Sequence, residues 1–339
     1  MEKIRANRKI FSMSHDQSIQ LNDRLLDSLG VGKVFKDHSK RVNSLDFSVD
    51  GKFLISSAED DAVCLYDCEK GERTKILRSR KYGVDHIKFV HSGTLSAICA
   101  SRNDFDYSLR YWDLYENKFI RFFKGHVGEV KGLDVHPYED LFLSSSLDKT
   151  SLLWDLRKEK PVGRIPARYT PAAAFDNQGL VFAVAAGDQK VHLFDSRAFD
   201  KGEFTFFDIA RYIASPTAQV MKIDFSPCGK FIAVCTDQGH IFSVDSFKGH
   251  LVGSYQAGSL AVETTPSFSP DSQYVAFGTS GGTINIYRTF SQVDDGVRAA
   301  PLVTRLEGHS SFPKSVMFNP VRSMIASACV NVALWIPRQ

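Results

Sequence analysis

Short runs in which apolar and polar residues alternate recur along the chain. Residues 119–157 show the pattern most completely, with three alternating runs in succession. The apolar positions of these runs are Val130, Leu133 and Val135, then Leu141 and Leu143, then Leu152 and Trp154. A period of two over so few residues predicts β-strands. The polar segment SSSLDKT between the second and third runs predicts a turn at Asp148 and Lys149.

The pair that ends the third run, Trp154-Asp155, has counterparts at regular intervals. They are Tyr66-Asp67, Trp112-Asp113, Phe194-Asp195, Val244-Asp245, Tyr287-Arg288 and Trp335-Ile336. The second members of successive pairs lie 46, 42, 40, 50, 43 and 48 residues apart. A period of about 40–45 residues, with a Gly-His pair before the strands, is typical of the WD repeat, which forms one four-stranded propeller blade. Seven copies therefore predict an all-β, seven-bladed WD-repeat β-propeller.

The two ends of the chain are predicted to pair with each other. Only four residues follow Trp335, too few for the last strand of a seventh blade. We expect residues 31–35, VGKVF, to supply that strand, because this pairing closes the ring and removes an exposed edge. Residues 21–339 then form a single propeller, preceded by a flexible polar extension over residues 1–20. The apolar spacing within residues 21–29 predicts a short helix.

Two longer segments between the predicted strands are expected to be loops. One is the Phe-rich segment 196–219, which contains EFTFFDIARYI, and the other is the segment 289–301. Neither has the composition of a low-complexity sequence.

Composition and charge exclude several classes of function. The 42 basic and 39 acidic side chains give a net charge of +3, too balanced to predict direct sequence-specific binding of nucleic acid. No apolar run approaches ~18 residues, so no membrane-spanning helix is expected. The first 20 residues lack the apolar core of a secretory signal, which predicts an intracellular protein. Arg5, Arg8 and Lys9 form a weak nuclear-import candidate, although a solvated tail explains them equally well.

The cysteines and most of the histidines do not indicate a metal site or a cofactor. The six cysteines form no C-x-x-C pair, and most lie in apolar runs, so we expect buried free thiols. The histidines lack H-x-x-x-H spacing, and no phosphate-binding glycine loop is present. No cofactor is predicted.

His126, Ser145, Asp148 and Trp154 bring together the residue types of a Ser-His-Asp hydrolase. In WD repeats, however, a His, a Ser or Thr, an Asp and a Trp form a buried hydrogen-bond network that fixes the blade. A nucleophilic triad needs an exposed nucleophile beside an oxyanion site, which this arrangement does not predict. We therefore predict a structural network and no enzymatic activity.

Basic residues recur in the turns and loops that share one face of the predicted propeller. Arg80, Lys81, Arg102 and Lys124 lie there with Tyr82. Acidic residues lie on the same face, so a solvated rim is one interpretation. The other is a surface on which Arg and Lys bind a phosphorylated or acidic peptide.

Several longer segments resemble one family more closely than a general WD repeat does. They include SRKYGVDHIKFVHSGT, FLSSSLDKTSLLWDLR, DSRAFDKG and SACVNVALW. These segments are similar to the WD-repeat subunit of COMPASS-type histone methyltransferase complexes, and the resemblance extends over about residues 21–337. Departures from the family pattern include Gly281 and Cys329, which stand where a turn Asp is usual.

The resemblance implies a nuclear, non-enzymatic adaptor. Its implied partners are the catalytic subunit that methylates lysine 4 of histone H3 and the other COMPASS-type subunits. It further implies binding to RNA polymerase II whose C-terminal repeats are phosphorylated. Membership of a nuclear type-one phosphatase assembly, with its regulatory subunit and factors for transcription termination and RNA 3′-end processing, is also implied. The alternatives are a substrate receptor of a ubiquitin ligase or another propeller scaffold, and, least favoured, an enzyme.

Overall fold

The structure is a computed structural model. It describes residues 20–90, 95–102, 106–213, 215–256, 264–290 and 299–338. The expected flexible extension over residues 1–20 therefore lies outside the described residues except for Gln20. Most of the expected loop over residues 289–301 also lies outside them.

The described strands form seven antiparallel sheets of four strands each, so the predicted seven-bladed propeller is confirmed. Blade 1 contains β2 (Val42–Phe47), β3 (Phe53–Ala58), β4 (Ala62–Asp67) and β5 (Glu72–Arg78). Blade 2 contains β6 (Ile87–Phe89), β7 (Ser96–Ala100), β8 (Leu109–Asp113) and β9 (Lys118–Phe123). Blade 3 contains β10 (Val130–Val135), β11 (Leu141–Ser146), β12 (Thr150–Asp155) and β13 (Gly163–Pro166).

The remaining blades follow the same order from the centre outward. Blade 4 contains β14 (Ala172–Phe175), β15 (Val181–Ala185), β16 (Lys190–Asp195) and β17 (Thr205–Asp208). Blade 5 contains β18 (Val220–Phe225), β19 (Phe231–Thr236), β20 (His240–Asp245) and β21 (Leu251–Gln256). Blade 6 contains β22 (Ser267–Phe268), β23 (Tyr274–Gly278), β24 (Thr283–Arg288) and β25 (Leu302–Glu307). Blade 7 contains β26 (Ser315–Phe318), β27 (Ile325–Ala328), β28 (Val332–Pro337) and, as its outer strand, β1 (Leu29–Phe35).

The N-terminal strand closes the ring as predicted. β1 pairs antiparallel with β28, from Leu29 opposite Pro337 to Phe35 opposite Val332, with a bulge between Val31 and Lys33. The strand begins two residues before the predicted segment 31–35. Because its partner strand comes from the other end of the chain, one blade joins both ends and no blade lacks its outer strand.

A short helix, α1 (Asp23–Asp27), precedes the closing strand and packs against blade 6. The Asn22 side chain caps it by accepting the Leu25 N–H at 2.9 Å. Leu26 is buried, and Asp23 accepts bonds from the Tyr274 hydroxyl at 2.8 Å and from Arg288 at 2.6 Å. The helix is shorter than the predicted 21–29, because Leu29 already belongs to β1.

The segment 196–219 is not the continuous loop that its length predicts. It contains β17, the outer strand of blade 4, and two 3₁₀ turns at Phe199–Lys201 and Ala210–Tyr212. Phe207 of β17 is buried in the core between blades 4 and 5. Two aromatic residues of this segment, Phe206 and Phe207, therefore belong to a strand of the fourth blade.

The cysteines match their prediction in part. All six are free thiols, and five are buried, but Cys228 is exposed in the hairpin turn between β18 and β19. No helix within the described ranges is long and apolar enough to cross a membrane.

Candidate interaction surface and blade networks

Blade 3 contains a complete hydrogen-bond network. The two ring nitrogens of His126 lie 2.8 Å from Asp148 Oδ2 and 2.7 Å from Ser144 Oγ. Trp154 Nε1 donates to the same Ser144 oxygen at 2.8 Å. Burial alone raises the pKa of Asp148, but hydrogen bonds from Thr150 and His126 outweigh it and lower that pKa. The network thus joins a loop, a turn and two strands of one blade.

The prediction that Ser145 belongs to this network is wrong. Its Oγ faces the opposite side of β11 and bonds Ser151 Oγ at 2.9 Å, whereas the neighbouring Ser144 contacts His126 and Trp154. Ser144 is 1% exposed, so its hydroxyl has no access to a substrate. The arrangement therefore fits a structural role better than nucleophilic catalysis.

Blades 1 and 7 contain partial versions of the network. In blade 1, His38 contacts Asp60 at 3.2 Å and Ser56 at 2.8 Å. In blade 7, Ser327 Oγ lies 2.6 Å from His309 Nε2 and accepts Trp335 Nε1 at 2.7 Å. The carboxylate position of that blade is taken by Cys329, as its place in the sequence predicts.

The pKa of Cys329 is low for a thiol in a buried position. Burial raises it, but hydrogen bonds from His309 and from the Asn331 backbone N–H outweigh burial and lower the pKa of Cys329 to about 6. The Cys329 thiol is therefore more acidic than an ordinary thiol, and it lies in the position that Asp148 takes in blade 3.

The structure places three of the predicted partner-surface residues in the loop where blade 1 meets blade 2, and a fourth just after β9, whose Phe122 contacts the Tyr82 ring. Arg80, Lys81 and Tyr82 lie in the loop from β5 to β6, and Lys124 follows β9. Arg80, Lys81 and Lys124 are exposed, and Lys81 Nζ lies 5.0 Å from the Tyr82 ring centre. We refer to Arg80, Lys81, Tyr82 and Lys124 as the basic rim.

Arg102, also predicted for the partner surface, makes contacts between two blades. Its Nη2 donates to Asp61 Oδ1 at 2.7 Å and to the Glu59 carbonyl at 2.9 Å. Both acceptors belong to blade 1, whereas Arg102 follows β7 of blade 2. Arg102 therefore links the two blades, and its part in a partner surface stays a prediction.

A fully buried arginine supports the basic rim from below. The guanidinium carbon of Arg110 lies 3.8 Å from the Tyr82 ring centre, and its Nη2 donates to Asp106 Oδ2 at 2.7 Å. Phe119 and Phe122 meet the Tyr82 ring edge to face, each at 6.3 Å. Cation–π stacking of this kind is worth about 2 kcal/mol or more when desolvated, so it holds the Tyr82 ring in a fixed orientation.

The sequence does not predict the roles of Arg110, Phe119 and Phe122. These residues lie in strands, whereas the predicted partner surface consists of turns and loops. The segment KFIRFF of β9 gave a usable signal, since an outer strand rarely needs so many aromatic residues. No comparable signal marks Arg110, because its partner Tyr82 lies 28 positions earlier in the chain, in the loop from β5 to β6.

The inner strands enclose a central channel with a cavity of about 150 Å³. Lys88 Nζ lies 3.0 Å from Asp46 Oδ1 across two neighbouring blades. Burial raises the pKa of Asp224 in the same channel to about 6. Within the part of the chain that the structure describes, no group of three His, Cys, Asp or Glu side chains is arranged to hold a metal ion.

The fold and the blade networks define a WD-repeat β-propeller. The family model described as "WD domain, G-beta repeat" matches residues 31–67, 117–155 and 209–245. The chain is 38% identical to WD repeat-containing protein 82 of Drosophila melanogaster over 94% of this chain and 98% of that protein. It is 32% identical to Set1 complex component swd2 of Schizosaccharomyces pombe, over 76% of this chain and 74% of that protein. It is 29% identical to COMPASS component SWD2 of Saccharomyces cerevisiae, over 87% of this chain and 90% of that protein.

The chain belongs to the WD-repeat family that contains these three proteins. The resemblance that the sequence segments indicate is therefore confirmed at the level of the family.

Proposed function

We propose that this protein is a non-catalytic scaffold subunit of a COMPASS-type methyltransferase complex that acts in the nucleus on lysine 4 of histone H3. The observation that carries the proposal is similarity over most of the chain to relatives named as Set1 and COMPASS components. A rigid seven-bladed ring with buried blade networks suits this role, because it offers several fixed surfaces to different partners.

Depletion and rescue test the scaffold role. Removal of the protein from cells of its source should lower the fraction of histone H3 trimethylated at lysine 4, and the full chain should restore it. The readout is mass spectrometry of histone peptides, with methylation at a different lysine as the control. Unchanged lysine-4 methylation after complete depletion would contradict the proposal.

We further propose that the basic rim binds the phosphorylated C-terminal repeats of RNA polymerase II and so couples the complex to transcription. The exposed cations Arg80 and Lys81 directly precede Tyr82, whose ring is held by Arg110. A third exposed cation, Lys124, follows two residues after Phe122, whose ring contacts Tyr82. A phosphoserine adds up to two negative charges and three acceptor oxygens, which Arg and Lys bind well. A fixed aromatic ring beside the cations provides apolar contact for the rest of a peptide.

Charge reversal on each face tests the coupling. The double variant Arg80→Glu, Lys81→Glu should weaken binding of a repeat peptide phosphorylated on the fifth-position serine at least tenfold, measured by fluorescence anisotropy. The matched control is Lys160→Glu, Arg197→Glu, two exposed cations in turns on the opposite face. Equal loss in both double variants, or equal binding of the unphosphorylated peptide, would overturn the assignment of the rim.

Membership of a type-one phosphatase assembly linked to termination and 3′-end processing is a second proposed association, made on the family resemblance alone. If this proposal is right, complexes purified with the protein contain the phosphatase regulatory subunit. Absence of that subunit would restrict this protein to the methyltransferase complex.

A further inference from the structure

Positive charge is concentrated on the outer strands of blades 1 and 2. Residues 70–82 contain six basic side chains and one acidic one, and residues 118–124 contain three basic side chains and no acidic one. The whole chain has a net charge of only +3, so the remaining residues are net negative. The two segments are β5 and β9 with their adjoining residues, the outermost strands of neighbouring blades.

The two outer strands are joined into one surface. Lys75 of β5 reaches the turn after β8, where its Nζ donates to the Leu114 carbonyl at 3.2 Å and lies 4.7 Å from the Tyr115 ring centre. Tyr115 is 73% exposed. Basic and apolar groups therefore continue from one blade to the next around the circumference.

β9 also exposes apolar surface. Ile120 is 52% exposed at a bulge in the pairing with β8, and Phe122, which also packs against Tyr82, is 40% exposed. Lys118, Arg121 and Lys124 flank these two residues in the chain. Among the described strands, β9 pairs only with β8, so its outer backbone edge is available. Charges on an edge strand discourage pairing between identical copies, because like charges repel. They do not account for the exposed Ile120 and Phe122, which remain unfavourable in water.

We propose that β9, with the basic side chains of β5 beside it, docks an acidic segment of a partner protein as an added fifth strand of blade 2. Backbone hydrogen bonds to the outer edge would align the segment. Its apolar side chains would cover Ile120 and the exposed part of Phe122, and its Asp or Glu side chains would face the basic side chains of β9 and β5. Charge complementarity selects an acidic partner, and the exposed apolar pair favours a peptide over a nucleic acid. This inference does not depend on phosphate binding at the basic rim.

Fluorescence anisotropy with the full chain tests the inference with three labelled probes. The first is a dodecapeptide in which Asp alternates with Leu, the second has Ser in place of each Leu, and the third is a single-stranded RNA of 12 nucleotides. The Asp-Leu peptide should bind at least tenfold more tightly than the Asp-Ser peptide. Equal binding of the two peptides, absence of binding, or tighter binding of the RNA would overturn the proposal.

Two matched substitutions locate the binding site. Ile120→Lys should weaken binding of the Asp-Leu peptide at least fivefold even though it adds a positive charge, because it removes apolar contact. Val127→Lys adds the same charge at a residue that is 81% exposed outside β9, and it should leave binding unchanged. Both variants should keep the melting temperature of the parent protein. Equal affinities for the two variants would contradict docking on β9.

Hydrogen exchange supplies an independent readout of the added strand. The Asp-Leu peptide should slow exchange of backbone amides within Lys118–Phe123 and leave those of the other outer strands unchanged. Slower exchange at the basic rim alone, with none in β9, would place the peptide elsewhere.

Discussion

The Cys329 thiol takes the place beside His309 in blade 7 that the Asp148 carboxylate takes beside His126 in blade 3. Cys329 Sγ lies 3.2 Å from His309 Nδ1, and Asp148 Oδ2 lies 2.8 Å from His126 Nδ1. In both blades the second ring nitrogen contacts a serine oxygen that accepts the N–H of the blade's tryptophan. Blade 7, which closes the ring, therefore has a weaker acceptor at one corner of an otherwise complete network.

Replacing Cys329 with aspartate should stabilise the protein at pH 5, where the thiol, with a pKa of about 6, is protonated. A carboxylate is a stronger acceptor than a protonated thiol for the His309 ring, and a hydrogen bond to a charged group contributes about 1.5–3 kcal/mol. We expect the free energy of unfolding to rise by about 1 kcal/mol, since burial of the new charge offsets part of the gain. The measurement is chemical denaturation of Cys329→Asp beside Cys329→Ala. An aspartate variant less stable than the alanine variant would show that Cys329 does not occupy the carboxylate position.

The stability that Cys329 confers should depend on pH. Its pKa is about 6 in the folded protein against 9.0 for the ordinary thiol, so the unfolded chain binds more protons between these values. Stability from this group is then complete above pH 9.0 and is lost as the pH falls through about 6. The difference in unfolding free energy between the parent protein and Cys329→Ser, which has no titrating thiol, should grow from pH 6 to pH 8.5, by at most about 1.4 kcal/mol per pH unit. A difference that is constant over this range would contradict the lowered thiol pKa.

Two neighbouring serines of β11 should respond differently to truncation. Ser144→Ala removes the acceptor of Trp154 Nε1 and the partner of His126, so two buried groups lose a bond. Each such loss costs about 1–3 kcal/mol. Ser145→Ala removes only the bond to Ser151 and should cost clearly less. Thermal unfolding of the two variants checks the order, and a larger loss for Ser145→Ala would restore the original prediction for the network.

The contribution of Tyr82 to stability should come from its ring and not from its hydroxyl. Tyr82→Phe keeps an aromatic face over the Arg110 guanidinium and should change stability by less than about 0.5 kcal/mol. Tyr82→Ala removes the stack from a buried charge and should cost about 2 kcal/mol. Denaturation midpoints of the two variants test this directly. Equal midpoints would mean that the 3.8 Å contact with Arg110 contributes nothing measurable.

The repeat spacing predicted the fold because each blade is a local unit. Each of the seven dipeptides, from Tyr66-Asp67 to Trp335-Ile336, lies at the end of the third strand of its blade or next to that end. The closing strand was predictable as well, because a ring of blades leaves one strand position that only the other end of the chain can fill.

The choice between Ser144 and Ser145 could not be made from alternation. Both faces of β11 are buried between neighbouring blades, so polarity does not separate the face toward His126 from the other. Likewise, the ion pair of Arg102 with Asp61 connects two blades, and the stack of Arg110 on Tyr82 connects a strand of blade 2 to the loop between blades 1 and 2. Contacts between repeats depend on how the blades are rotated about the ring, which the spacing of the repeats does not encode.

The central claim, that this protein is a subunit of a COMPASS-type complex, is tested most directly by affinity purification of the tagged full chain from nuclear extract with quantitative mass spectrometry. We predict that the methyltransferase catalytic subunit and its companion subunits are enriched in near-equal amounts with the tagged chain. A tagged, unrelated seven-bladed WD protein serves as the control. Enrichment of the adaptor subunit of a ubiquitin ligase, or of none of the methyltransferase subunits above the control, would contradict the claim.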